Sequence, residues 1–266
     1  MKGIIFYYSG SGNTKLACQY LSKNLTNIEL ELFDMVKGKD ILDLNSYDLV
    51  GFAAFTDFLG PSMLVYNFIE KIPQQDGKLA FVFNTYGFIS GKTLKGLAKL
   101  ATARGFNVVT GYSLHTPENY PPMIVKGRGA ETAPNESEMA SFEEFVQDLN
   151  GIIKSFQKGE EIKTRKLKVG FLGKILPIPA REKAKKRNMG EKFLDESLCE
   201  ECGICEKGCP YGAITLDPKP KFDKDKCYGC WYCYNHCPNK AIFTKKYKEI
   251  GQYPKPNPQL KEKLGN

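Results

Sequence analysis

Cys199-Glu200-Glu201-Cys202-Gly203-Ile204-Cys205-Glu206-Lys207-Gly208-Cys209-Pro210 is followed by Cys227-Tyr228-Gly229-Cys230-Trp231-Tyr232-Cys233-Tyr234-Asn235-His236-Cys237-Pro238. Both stretches read Cys-x2-Cys-x2-Cys-x3-Cys-Pro, and equivalent positions stand 28 apart (227 − 199 = 28). Ala213-Ile214-Thr215 and Ala241-Ile242-Phe243 follow at the same interval, so two equivalent halves pack about a pseudo-two-fold axis. Eight of the nine cysteines fall between 199 and 237, and only Cys18 precedes them. A chain of 266 residues with 42% hydrophobic side chains builds a core without disulfide staples, so this clustering points to metal. Zinc ribbons also use Cys-x2-Cys pairs, but they space two pairs widely and need neither the third cysteine at x2 nor the Cys-Pro.

Upstream of the cysteines the pattern changes. Apolar runs at 3–8, 28–33, 48–54, 78–84 and 107–112 are continuous rather than alternating, as in parallel strands covered on both faces. Helical patterns at 14–25, 61–71, 93–104 and 136–157 separate or follow them, with Pro61 suited to a first helical turn. The expected architecture is an α/β domain over 1–157 with a doubly wound, five-stranded parallel sheet. A basic linker covers 158–194, a small α+β cysteine-rich domain 195–245, and a basic, Pro-containing tail 246–266, read as extended and weakly ordered. Within the linker, residues 171–176 and the basic side chains after them read as a domain-packing segment.

The first strand runs into Ser9-Gly10-Ser11-Gly12-Asn13-Thr14, where a helix begins. Hydroxyls, glycines and exposed backbone N–H groups at a helix N-terminus suit a phosphate monoester, because unsatisfied donors and the helix dipole favour an anion. The other walls of such a site follow strands three to five. There the chain offers Thr56 and Phe58, then Asn84, Thr85, Tyr86 and Gly87, then Asn119, with Phe58 and Tyr86 as candidates to stack on a planar ring. His115 reads as a satisfied loop histidine and Cys18 as a buried core residue.

The cysteine-rich stretch resembles bacterial ferredoxins with two [4Fe–4S] clusters, matching all eight ligand positions. The resemblance implies that Cys199, Cys202, Cys205 and Cys237 bind one cluster and Cys227, Cys230, Cys233 and Cys209 the other. The hexad 9–14 resembles the phosphate loop of flavodoxins, which implies FMN as the second cofactor. Together the halves resemble flavodoxin–ferredoxin fusion proteins. What this implies is an electron carrier, not a self-sufficient enzyme, passing electrons between FMN, the two clusters and redox partner proteins. The alternative is a flavin-dependent reductase of a quinone or nitro compound fed through the clusters.

Net charge is +8, and residues 151–194 alone contribute +9 (13 basic against 4 acidic side chains). This basicity suits acidic surfaces on protein partners; nothing in the motifs asks for nucleic acid. No apolar run reaches membrane-spanning length, and no leader pattern opens the chain, so a cytoplasmic location is expected. Monomer and homodimer stay open.

Overall fold

The computed structural model describes residues 1–38, 43–168, 170 and 190–265. The basic run 171–189, including the stretch read as domain-packing, lies outside the described residues.

Strands β1 (Lys2–Tyr8), β2 (Glu29–Asp34), β3 (Leu49–Phe55), β4 (Leu79–Tyr86) and β5 (Asn107–His115) form one parallel sheet in the order β2-β1-β3-β4-β5. This is the flavodoxin-like doubly wound order. Its strands are apolar on both faces because helices cover both. Ile5 and Tyr7 of β1 face helices α1 (Asn13–Asn24) and α5 (Glu136–Gln157), the latter preceded by the single turn α4 (Pro121–Ile124), whereas Ile4 and Phe6 face α2 (Met63–Glu70) and α3 (Thr93–Ala103). Helix α5 opens on a capping box: Asn135 Oδ1 accepts from Glu138 N at 2.9 Å, and Glu138 Oε2 accepts from Asn135 N at 2.8 Å. Pro61 lies outside α2, before its N-cap Ser62, where its ring packs against the backbone of Gly96 in α3.

The fourth and fifth strands run longer than expected. Asn84, Thr85 and Tyr86 belong to β4, not to the loop after it, and pair with Ser113, Leu114 and His115. Their polar side chains are satisfied inside the domain, which lets the ladder continue. Asn84 Nδ2 donates to Thr56 Oγ1 at 3.1 Å, Asn84 Oδ1 accepts from Ser113 Oγ at 2.6 Å, and Thr85 Oγ1 meets Thr14 Oγ1 at 2.8 Å.

In the second domain β6 (Phe193–Leu194) pairs antiparallel with β9 (Ile242–Phe243), and β7 (Ile214–Asp217) with β8 (Lys219–Phe222). Leu194↔Ile242 and Phe222↔Ile214 are the same pair displaced by 28 residues, as an internal two-fold requires. Short helices Ile204–Lys207 and Tyr232–His236 carry the third cysteine of each repeat.

The tail is not loose. Residues 253–265 return to the first domain, and the helix Pro258–Lys263, capped by Asn257 Oδ1 accepting from Leu260 N at 2.8 Å, places Leu260 and Leu264 in the core beside α1 and α5. Lys263 Nζ donates to Thr132 O and Pro134 O. Burial of two leucines outweighs the tail's proline and lysine content. Leu260→Ala is expected to cost about 3 kcal/mol, because Leu260 is fully buried. A lowered thermal midpoint in far-ultraviolet circular dichroism would register it; an unchanged midpoint would place the helix outside the cooperative core.

Candidate functional site

Two small cavities lie inside the second domain. Cys199, Cys202, Cys205 and Cys237 line one, together with Leu194 and Pro220. Cys209, Cys227, Cys230 and Cys233 line the other, together with Lys192 and Phe222. In each, three thiols come from one repeat and the fourth from the other. The fourth sulfurs are held alike: Cys209 Sγ accepts from Ala213 N at 3.3 Å and Cys237 Sγ from Ala241 N at 3.2 Å. Among the described residues no group of three or more Cys, His, Asp or Glu converges as a single metal ion would need. Four thiols lining each cavity, three from one repeat and one from the other, are the donor set a four-iron cluster would take. Burial pushes the Cys205 thiol up to about 11 and the Cys230 thiol up to about 12, so these sulfurs keep their protons until a metal replaces them.

The two halves differ in a consistent way. A 28-residue displacement pairs Glu200 with Tyr228, Gly203 with Trp231 and Asn239 with Tyr211. Three aromatic residues therefore stand around one thiol cavity where small or polar residues stand around the other. Gly203 has φ 73° and Trp231 φ 63°. The backbone turn is the same in both halves, but at 231 a bulky side chain occupies the left-handed region that glycine favours.

Those aromatics close a third space. A cleft of about 950 Å³, its open mouth included, lies between the domains. Its first wall is built from the loops after β3, β4 and β5, with Phe55, Thr56, Phe58, Gly87, Phe88, Glu118, Asn119 and Tyr120. Its second wall is Tyr211, Tyr228, Gly229, Cys230 and Trp231, all five of which also line the Cys209/Cys227/Cys230/Cys233 cavity. The walls are tied together: Tyr228 OH donates to Asp57 Oδ2 at 2.8 Å, and Asn235 Nδ2 donates to Asn119 O at 2.9 Å. Tyr120 meets Trp231 edge-on at 5.9 Å. Glu118 anchors the loops from within, its carboxylate accepting from Phe88 N, Asn119 N and Tyr120 N at 3.2, 2.9 and 3.0 Å. Burial raises its pKa above the ordinary value, against the pull of these donors. Ser62 Oγ, Tyr211 OH and Trp231 Nε1 are buried without a hydrogen-bond partner, and all three residues line the cleft. Aromatic walls with orphaned polar atoms among them fit a planar ligand that has a polar edge.

The hexad 9–14 stands beside this cleft. Ser9 Oγ accepts from Gly12 N at 3.1 Å, and Ser11 Oγ accepts from Asn119 Nδ2 at 2.9 Å, which links the loop to the cleft wall. Asn13 Nδ2 donates to Pro117 O, and Asn13 Oδ1 accepts from Tyr253 OH at 3.0 Å. Gly12 has φ 100°, and a Cβ there would meet Pro256 Cδ at 2.9 Å, so the returning tail crosses directly over the loop. Loop glycine and tail proline are fitted to each other.

Of the ring-contact residues expected from sequence, Thr56, Phe58, Gly87 and Asn119 line the cleft. Asn84 and Thr85 are buried behind it, and Tyr86 stacks on His115 at 5.1 Å instead of facing the cleft. His115 Nδ1 is also paired with Glu138 Oε1 at 2.8 Å, and Cys18 is fully buried with its thiol pKa raised by that burial. Tyr120, in the loop after strand five, also lines the cleft, and sequence reasoning missed the second wall. The repeat comparison carries a signal for that wall, since a duplicated motif should not acquire three aromatics in one copy without a neighbour to cover.

Residues 198–241 match the family model of the 4Fe-4S dicluster domain. The pyruvate synthase subunit PorD of Methanothermobacter marburgensis is 41% identical over 56 residues, covering 21% of this chain and 67% of that protein. PorD of Methanocaldococcus jannaschii is 45% identical over 52 residues, 19% of this chain and 60% of that subunit. An uncharacterized ferredoxin of the same organism is 35% identical over 63 residues, 22% of this chain and 82% of its own length. Among solved structures, a flavodoxin from the domain Archaea shares 19% identity over 58% of this chain and 99% of its own, with a TM-score of 0.43. The fold of the first domain rests on its own strand order.

Proposed function

Through its C-terminal domain the chain belongs to the two-[4Fe–4S] ferredoxins, joined here to a flavodoxin-like domain, and from that premise we propose that it carries electrons between FMN, two clusters and a redox partner protein. The observation that supports this is the shared wall: Tyr211, Tyr228, Gly229, Cys230 and Trp231 line both the cleft and one thiol cavity. One layer of residues separates the two.

FMN, when bound, exchanges one or two electrons, whereas each cluster exchanges one. The residues supply position and shelter. Loop 9–14 and the start of α1 would hold the phosphate, beneath Tyr253 and Pro256. Phe58, Tyr120, Tyr228 and Trp231 line the cleft and would flank the ring and shield it from water. The Asp57–Tyr228 and Asn119–Asn235 bonds fix the spacing between cleft and near cavity, so transfer needs no domain movement. The far cavity, with Cys202 exposed, faces outward and is the exchange point for a partner. Among the described residues no helix is long and apolar enough to cross a membrane.

Protein purified without oxygen and analysed for iron, sulfide and FMN tests the reading. The expected result is eight irons (two clusters of four) and about one FMN per chain, their absorbances bleaching together on stepwise reduction. Eight irons without flavin would remove the cleft from the proposal, and zinc in place of iron would remove the electron carrier.

A further inference from the structure

Lys192 is buried, 6% exposed, and is the charged side chain among those lining the Cys209/Cys227/Cys230/Cys233 cavity. Its Nζ lies 3.9 Å from the centroid of the Trp231 ring and donates to Gly190 O at 3.0 Å. Burial lowers its pKa from the ordinary lysine value, and thiolates at Cys233, Cys227 and Cys230 would oppose that shift. The internal repeat supplies a control. Displaced by 28, Lys192 corresponds to Pro220, which lines the other thiol cavity. That cavity's charged lining residues are Glu200 and Glu201, both exposed. One architecture thus carries a buried cation at one site, and at the other a proline with carboxylates at the surface.

A cluster held by four thiolates becomes one charge more negative on accepting an electron. Burial penalises that added charge, whereas a nearby cation stabilises it. We infer that Lys192 is a potential-setting residue: its ammonium raises the reduction potential of the cluster beside the flavin cleft and leaves that of the outer cluster unchanged. The effect offsets the burial imposed on the inner site by Tyr228 and Trp231. It keeps the inner cluster able to accept electrons although it is shut away from water. The inference rests on the reading of the eight thiols as ligands of two clusters.

The experiment is an anaerobic reductive titration of the full-length holoprotein, followed by visible absorbance and electron paramagnetic resonance. Wild type, Lys192→Gln, Lys192→Arg and Cys202→Ser are compared. Cys202→Ser perturbs the outer site and so identifies its midpoint. Lys192→Gln is expected to lower the other midpoint by at least tenfold in the oxidised-to-reduced ratio, about 59 mV for one electron. Lys192→Arg should restore most of the shift. No shift, an equal shift of both midpoints, a shift of the midpoint that Cys202→Ser marks, or a failure of arginine to restore it would overturn the inference. Loss of iron from Lys192→Gln in place of a shift would assign the lysine to cluster retention and overturn it as well. A wild-type protein with fewer than two clusters would instead defeat the ferredoxin reading itself.

Discussion

Cys237→Ala is expected to halve the iron content, from eight atoms to four per chain, and the lost cluster is the one beside the first cysteine triad. Cys237 closes the second repeat in sequence, yet in space it lines the cavity of Cys199, Cys202 and Cys205. Three thiolates do not hold a cubane with the permanence of four, and the variant also leaves Ala241 N without its sulfur acceptor. The β6–β9 pair next to it is only two residues long on each strand, so that corner of the domain depends on its cluster for order. Cys209→Ala is the mirror experiment, removing the cluster beside the cleft. The two variants have equal iron losses but different optical consequences. Loss of the inner cluster should perturb flavin absorbance, because Cys230 belongs to both cavities, whereas loss of the outer one should not. Iron analysis with flavin difference spectra reads both; retention of two clusters in Cys237→Ala would sink the crossed ligand assignment.

Trp231→Gly pits backbone against side chain. Glycine relieves the left-handed conformation at φ 63°, worth roughly 1–2 kcal/mol. It also removes an indole that is 3% exposed and packed against Tyr120, Tyr234 and Tyr247, a loss of about 3–5 kcal/mol. Packing wins, and a net destabilisation of about 1–4 kcal/mol is expected from these two estimates. The second consequence concerns the cleft. With one wall opened, FMN affinity should fall by roughly tenfold or more, equivalent to about 1.4 kcal/mol. Fluorescence titration of flavin-free protein measures the affinity and thermal melting the stability. Full stability with unchanged affinity would detach the second domain from the flavin site.

The sheet was legible because its strands are buried on both faces, and five unbroken apolar runs separated by helical patterns leave little choice of fold. Strand ends were less legible. Asn84 and Thr85 look like loop residues until Thr56, Ser113 and Thr14 are seen to satisfy them within the sheet. The cysteine spacing carries the chemistry of the second domain with no help from tertiary structure. Two features depend on contacts between distant parts of the chain and left only traces. Leu260 and Leu264, four residues apart among lysines and prolines, give one helical turn of apolar signal, too short to predict docking. The second wall of the cleft is written only in the contrast between repeats, where Glu200, Gly203 and Asn239 give way to Tyr228, Trp231 and Tyr211.

The returning tail also governs how the molecule is made and dismantled. Leu260 and Leu264 complete a core begun by β1, so the ribosome has already delivered the whole cysteine-rich domain before the first domain can be sealed. Topologically the ferredoxin half is an insertion held at both ends, not an appendage. A single cut between residues 168 and 190 would therefore leave two polypeptides that stay together, clasped by the tail helix and by the Tyr228–Asp57 bond.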